Sequence, residues 1–125
     1  ILMRLDHVNI KAPGDLIEEV KDFYCQVLDL EPGFRPEFAS RGYWLYAADK
    51  AIIHLSISDE MQGLESGGFI DHVAFQTSGL NNAVEKLALL NISVRRNYIP
   101  ELDMTQLFIQ DPAGTGVEIN FPGES

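Results

Sequence analysis

One short run is written twice in this chain. Leu5-Asp6-His7-Val8-Asn9-Ile10 returns as Ile70-Asp71-His72-Val73-Ala74-Phe75, and the two histidines stand 65 residues apart in a chain of 125. Both runs are β-prone, and each places an acidic residue before His. A repeat of about half the chain constrains the fold more than any single motif, because each copy must specify the same supersecondary unit. We therefore expect a duplicated module with something held between the copies.

The elements between the repeats support this. Arg4 to Ile10 alternates as a strand, with Leu5, His7 and Asn9 on one face and Asp6, Val8 and Ile10 on the other. Pro13-Gly14 breaks it. Asp15 reads as an N-cap with Glu18 completing a capping box. The helix that follows carries Leu16, Ile17, Val20, Phe23, Tyr24, Val27 and Leu28 at helical spacing and ends by Pro32-Gly33. A weak strand is expected at Gly33 to Arg35, then a hairpin of Tyr43 to Ala48 and Ala51 to Ile57 around Asp49-Lys50. After a polar connector the order returns. Phe69 to Gln76 is a strand, Leu80 to Leu90 a helix stopped at Asn91, and Ile92 to Tyr98 a strand. A loop with Pro100 precedes strands at Met104 to Gln110 and Gly116 to Phe121. Each half reads β-α-β-β-β. We expect one α+β domain over 1–125, made of module one at 1–57, a connector at 58–68 and module two at 69–125.

The alignment of halves brings a second pair into view. His54 lies 47 residues after His7, and Glu118 lies 46 after His72. Ile53-His54-Leu55 and Val117-Glu118-Ile119 are thus counterparts. The apolar positions of these strands face the helices. The opposite face then carries His7, His54, His72 and Glu118. Three imidazoles and a carboxylate form a ligand set for a borderline divalent metal: Zn, Ni, Fe or Mn. Any one of these histidines alone reads as a hydrogen-bonded core residue. All three histidines of the chain on one face, with a carboxylate that burial would penalise without a partner, read as a metal site.

Composition narrows the partners. Nine basic against nineteen acidic residues give a formal net charge of −10, which repels phosphate backbones and argues against nucleic acid. No apolar run approaches the roughly 20 residues of a membrane span. No basic region followed by a long apolar stretch marks a secretory signal. The lone Cys25 excludes an internal disulfide framework, which fits a reducing, cytoplasmic setting. Its place in an amphipathic helix reads as a structural thiol.

The runs Leu-Asp-His-Val-Asn-Ile, Ile-Asp-His-Val-Ala-Phe and Asp-Pro-Ala-Gly-Thr-Gly-Val-Glu-Ile-Asn-Phe resemble the vicinal oxygen chelate superfamily over essentially the whole chain. That superfamily includes glyoxalase I, methylmalonyl-CoA epimerase, fosfomycin-resistance proteins, extradiol dioxygenases and bleomycin-binding proteins. The resemblance implies paired βαβββ modules forming a curved mixed sheet around a metal cleft, and a homodimer. It matches His7, His72 and Glu118 to ligand positions of the superfamily, and His54 to a fourth that is usually Glu in glyoxalase I and Gln in the epimerases. His54 departs from both, so it is a candidate ligand, base or substrate contact. The resemblance points to a glyoxalase-like lyase or isomerase acting on a small oxygen-rich substrate by bidentate chelation, with His54 and Glu118 as candidate catalytic groups. An Fe(II) extradiol-type dioxygenase and a metal-free sequestering protein of the bleomycin-resistance type are the alternatives. By alternation Asn9, Gln76, Gln106, Gln110 and Asn120 share the ligand face. Asn9, Gln106, Phe108 and Arg96 are candidate substrate contacts, the last for an anionic group. Tyr43, Trp44 and Phe108 offer aromatic walls.

Overall fold

Two four-stranded mixed sheets carry the chain in the computed structural model, which describes residues 5–59 and 72–125. They belong to two compact units, within 1–64 and 65–125. Most of the expected connector, and the residues 69–71 that were expected to open a strand, lie outside the described residues.

In unit one the order is β1 (Val8–Ala12), α1 (Gly14–Leu28), β2 (Glu31–Gly33), β3 (Gly42–Ala47) and β4 (Lys50–Ile57). The sheet order is β1-β4-β3-β2, with β1 parallel to β4 and the other pairs antiparallel. In unit two β5 (His72–Gln76), α2 (Leu80–Leu89), β6 (Arg95–Ile99), β7 (Met104–Gln110) and β8 (Gly116–Pro122) give the order β5-β8-β7-β6 with the same parallel first pair. A short 3-10 turn, Pro100–Leu102, precedes β7. The repeat read from the two histidine runs is therefore a repeat of topology. Among the described residues, no helix is long and apolar enough to cross a membrane.

Alternation builds each core. Ile53 and Leu55 of β4 are buried together with Leu45 of β3 and with Ile17, Val20 and Tyr24 of α1. Val117 and Ile119 of β8 are buried with Leu107, Ile109, Leu80 and Leu87. Each fully buried aliphatic side chain of this kind contributes roughly 1.5–3 kcal/mol. The residues between them on β4 and β8 point to the other face, and that is where His54 and Glu118 stand.

The helix starts differ from expectation. The N-cap of α1 is Pro13, with no side-chain cap of its own, and Asp15 lies inside the first turn. The Gly14 N–H donates instead to Asp59 Oδ1 at 2.9 Å, from 45 residues away. In α2 the N–H groups of Gly79 and Leu80 both donate to the Glu124 carboxylate at 2.9 Å. Each helix dipole thus meets a carboxylate from late in its own unit. Glu18, expected in a capping box, accepts from the Tyr43 hydroxyl at 2.5 Å.

Candidate functional site

The face opposite each core is where the predicted residues stand. His54 pairs across the sheet with Asn9 on one side and Trp44 on the other. His7 immediately precedes β1 rather than lying within it. Its ring is stacked on His54, centroids 3.7 Å apart and planes at 10°. The Trp44 ring covers the other side of His54 at 4.0 Å and 14°. His54 is therefore the middle ring of a three-ring column.

Hydrogen bonds assign the nitrogens. His7 Nδ1 lies 2.6 Å from Asp6 Oδ2, so a proton there is shared with a carboxylate and the lone pair falls on Nε2. That bond is also the first cause holding the Asp6 carboxyl below its ordinary value. His54 Nε2 lies 3.1 Å from the Ala51 carbonyl, which only an N–H can satisfy. Its lone pair is therefore on Nδ1. Burial first, and then the neighbouring His7, hold the His54 imidazole below its ordinary value. Both causes favour the neutral imidazole.

A metal lies in the plane of an imidazole that binds it, about 2.0–2.1 Å from the nitrogen. One ion cannot lie in both planes of a parallel stack. As arranged, the planes of His7 and His54 do not meet on one point. His7 suits a ligand better, since a carboxylate on the far nitrogen fixes its ring and tautomer.

Unit two holds the other pair. Glu118 is 8% exposed. Its Oε1 lies 3.3 Å from His72 Nε2, and its Oε2 accepts from Gln106 Nε2 at 3.0 Å. The separation of the His72 nitrogen and the Glu118 oxygen suits two donors on one ion. Asn120 lies opposite both Gln76 and Gln106 in the sheet, and its Oδ1 is buried without a hydrogen-bond partner among the described residues. Asp111 sets the approach to this strand. Its Oδ1 accepts from the Ala113 and Thr115 N–H groups at 2.8 and 2.9 Å, which fixes the turn from which β8 departs.

Among the described residues, no group of three or more His, Cys, Asp or Glu side chains is gathered where one ion could sit. The residues appear as two pairs, His7 with His54 and His72 with Glu118.

The substrate candidates divide. Asn9 shares the His54 face, and its Oδ1 accepts from Ser56 Oγ at 3.1 Å. Gln106 and Phe108 share the Glu118 face, Phe108 directly opposite Glu118. Arg96 does not: it pairs with buried Leu107, and its neighbour Arg95 pairs with Phe108. The Arg95 guanidinium lies 4.1 Å from the Phe108 ring centroid. The arginine on this face is thus Arg95. Tyr43 likewise pairs with buried Leu55 and is no wall of this face, whereas Trp44 and Phe108 occupy equivalent places beside His54 and Glu118. Arg35, whose charge is felt at His54, was not singled out by sequence.

No protein-family model matches the chain. No curated protein matches it. Solved structures do. A glyoxylase/bleomycin resistance protein/dioxygenase domain from Frankia sp. EAN1pec is 18% identical with a TM-score of 0.76, covering 98% of this chain and 99% of that one. The genomically encoded fosfomycin resistance protein from Listeria monocytogenes, as a mutant with Mn(II) and 1S,2S-dihydroxypropylphosphonic acid, is 12% identical with a TM-score of 0.74, covering 98% and 94%. Lactoylglutathione lyase from Agrobacterium tumefaciens is 17% identical with a TM-score of 0.68, covering 94% and 92%. These are likenesses of backbone along nearly whole chains, and they agree with the paired βαβββ order found in each unit. The chain has the vicinal oxygen chelate fold.

Proposed function

We propose that the chain is a divalent-metal-dependent enzyme acting on a small oxygen-rich substrate by bidentate chelation, a glyoxalase-like lyase or isomerase. The observation that carries this reading is Glu118. A carboxylate this buried is costly unless its oxygens are satisfied, and here one is oriented by Gln106 while the other faces an imidazole nitrogen at 3.3 Å. The Mn(II) of the Listeria protein, which shares the fold, is in keeping with it.

In this reading His7, His72 and Glu118 hold the ion, and Zn, Ni, Fe and Mn all suit such a set. The ion's contribution is to polarise two neighbouring substrate oxygens and stabilise the negative charge that develops on them. Asp6 keeps His7 in the tautomer that offers Nε2. Gln106 keeps one Glu118 oxygen engaged so that the other is presented. His54, neutral and with its lone pair on Nδ1, takes the proton from carbon. Asn9 and Phe108 contact substrate, and Arg95 takes the place first given to Arg96. A cytoplasmic homodimer belongs to the same proposal. Two histidines and one carboxylate are also the set used by non-haem Fe(II) oxygenases, so an extradiol-type dioxygenase is the second reading.

The test is metal analysis of protein purified without chelator. About one divalent ion per chain is expected, lost in His7→Ala and Glu118→Ala. His54→Ala keeps the ion and loses roughly 10²–10⁴-fold in turnover of an α-ketoaldehyde–thiol adduct. Oxygen uptake on catechols by the Fe(II) form selects the second reading. Wild type that neither carries nor takes up any of these ions overturns both.

A further inference from the structure

The segment between β2 and β3 is pinned at both ends. The Tyr46 hydroxyl donates to the Phe34 carbonyl at 2.6 Å, and the Ile57 N–H donates to the Arg41 carbonyl at 2.9 Å. Between them Arg35 lays its guanidinium 4.9 Å from the Phe38 ring centroid. Phe38 in turn lies 6.2 Å from Trp44, whose other neighbour is His54. The backbone makes room for this cation. A Cβ on Gly42 would stand 3.1 Å from Arg35 Nη2 and 1.9 Å from the Leu55 carbonyl oxygen.

The guanidinium is only partly satisfied. Nη1 donates to the Ser40 carbonyl at 2.9 Å. Nη2 reaches Ser40 Oγ at 3.5 Å, the long limit for such a bond. Nε is shielded from solvent and has no hydrogen-bond partner. Among the described residues no carboxylate forms an ion pair with Arg35. Stapling the segment through Ser40 accounts for Nη1 and leaves the rest unexplained. A shielded donor without a partner is costly, the more so on a charged group, and such an orphan calls for an explanation. Nε and Nη2 share one edge of the planar group, the edge a carboxylate takes with two parallel hydrogen bonds. Phe38 is 52% exposed beside it.

We propose that Arg35, Phe38 and Trp44 form a binding site for a small aromatic carboxylate. Arg35 gives up the weak Ser40 hydroxyl contact and turns its Nε–Nη2 edge, shielded in the unliganded chain, to the carboxylate, and the ring lies against Phe38 and Trp44. The site stands within unit one and uses no metal; it rests on the enzyme reading above only in that the ligand is then a substrate, held beside the base His54.

Trp44 is the one tryptophan of the chain, so intrinsic emission reports on this site. The experiment titrates chelator-treated protein with benzoate, with benzamide as the uncharged isostere and with acetate as the ringless anion. Benzoate is expected to change Trp44 emission saturably, and the other two to bind at least about tenfold more weakly. Arg35→Gln weakens benzoate by about tenfold or more. Arg35→Lys, which keeps the charge and loses the fork, recovers only part of it. Equal binding of benzoate and benzamide, no saturable response in wild type, or wild-type affinity in Arg35→Gln overturns the site. So does binding that appears only after a divalent ion is added, because the ion then holds the carboxylate. Should Arg35→Gln fail to fold by circular dichroism, the benzoate–benzamide ratio in wild type still decides. Benzoate binding in a protein that takes up no metal removes the metalloenzyme reading and leaves this site; metal uptake without benzoate binding does the reverse.

Discussion

The two units keep one backbone plan and two different working faces. Strand order, the parallel first pair and the carboxylate at each helix start are the same. Core positions correspond as well: Leu45 with Ile109, Ile53 with Val117 and Leu55 with Ile119, all buried. On the other face the counterparts diverge. Gly42, Trp44 and His54 of unit one stand where unit two has Gln106, Phe108 and Glu118. Gln106 extends to Glu118 and orients it. Gly42 extends nothing, and Arg35 uses the space. Duplication thus fixes the frame through burial, which penalises change, and leaves the exposed parity of each strand free to differ. One half became a carboxylate–imidazole pair, the other a column of rings edged by a cation.

Substitutions at that first counterpart pair should separate the faces most. Gly42→Ala sets a Cβ against a backbone oxygen that cannot rotate away. We expect a loss of roughly 3 kcal/mol or more, read by urea unfolding with Trp44 emission. A wild-type midpoint would mean that the close approach to Leu55 is not a constraint on unit one. At the counterpart, Gln106→Leu keeps the volume and strands a buried Glu118 oxygen. The expected loss is about 1–3 kcal/mol. If Gln106→Leu were neutral, Glu118 would not depend on Gln106, and the asymmetry drawn between the faces would shrink to the difference between His and Glu.

The caps refine the comparison at smaller scale. Glu124 receives two helix N–H groups and Asp59 receives one. Glu124→Ala should therefore cost about 1–2 kcal/mol and Asp59→Ala about 0.5–1 kcal/mol. Amide exchange at Gly79 and Leu80 should rise more than at Gly14. Equal effects would show that the second hydrogen bond adds nothing.

These caps also mark where sequence reading stops. Asp59 and Glu124 act across 45 residues, and a local scan for capping boxes settles on Asp15 instead. Strands with clear alternation were legible, and Met104–Gln110 is recovered residue for residue, because one buried face imposes a period of two. The same period makes a one-residue shift total: Arg95 stands opposite Phe108 and Arg96 opposite buried Leu107. The pairing of His54 with Glu118 was legible from spacing. The His7–His54–Trp44 column was not, since ring stacking depends on side-chain rotation that no spacing encodes.

A last pair of matched groups tests the units by pH. Tyr43 donates to Glu18 in unit one, and Tyr98 donates to Asp103 at 2.8 Å in unit two. In both the hydrogen bond to a carboxylate is the first cause raising the phenol above its ordinary value, with burial second. The carboxylate accepts a hydrogen bond from the phenol O–H and repels a phenolate. For Tyr43, Lys21 opposes the shift, its ammonium lying 5.1 Å from the ring. A group raised in the folded state contributes stability that is complete below its unfolded value, ordinarily about 10, and is lost as pH rises through the folded value. Absorbance titration should therefore show Tyr43 and Tyr98 ionising above the ordinary tyrosine range. Glu18→Gln should return Tyr43 toward the ordinary range without moving Tyr98, and Asp103→Asn should do the converse. If either substitution moved both tyrosines, the two hydrogen bonds would not be independent, and the treatment of each unit as its own electrostatic neighbourhood would fail.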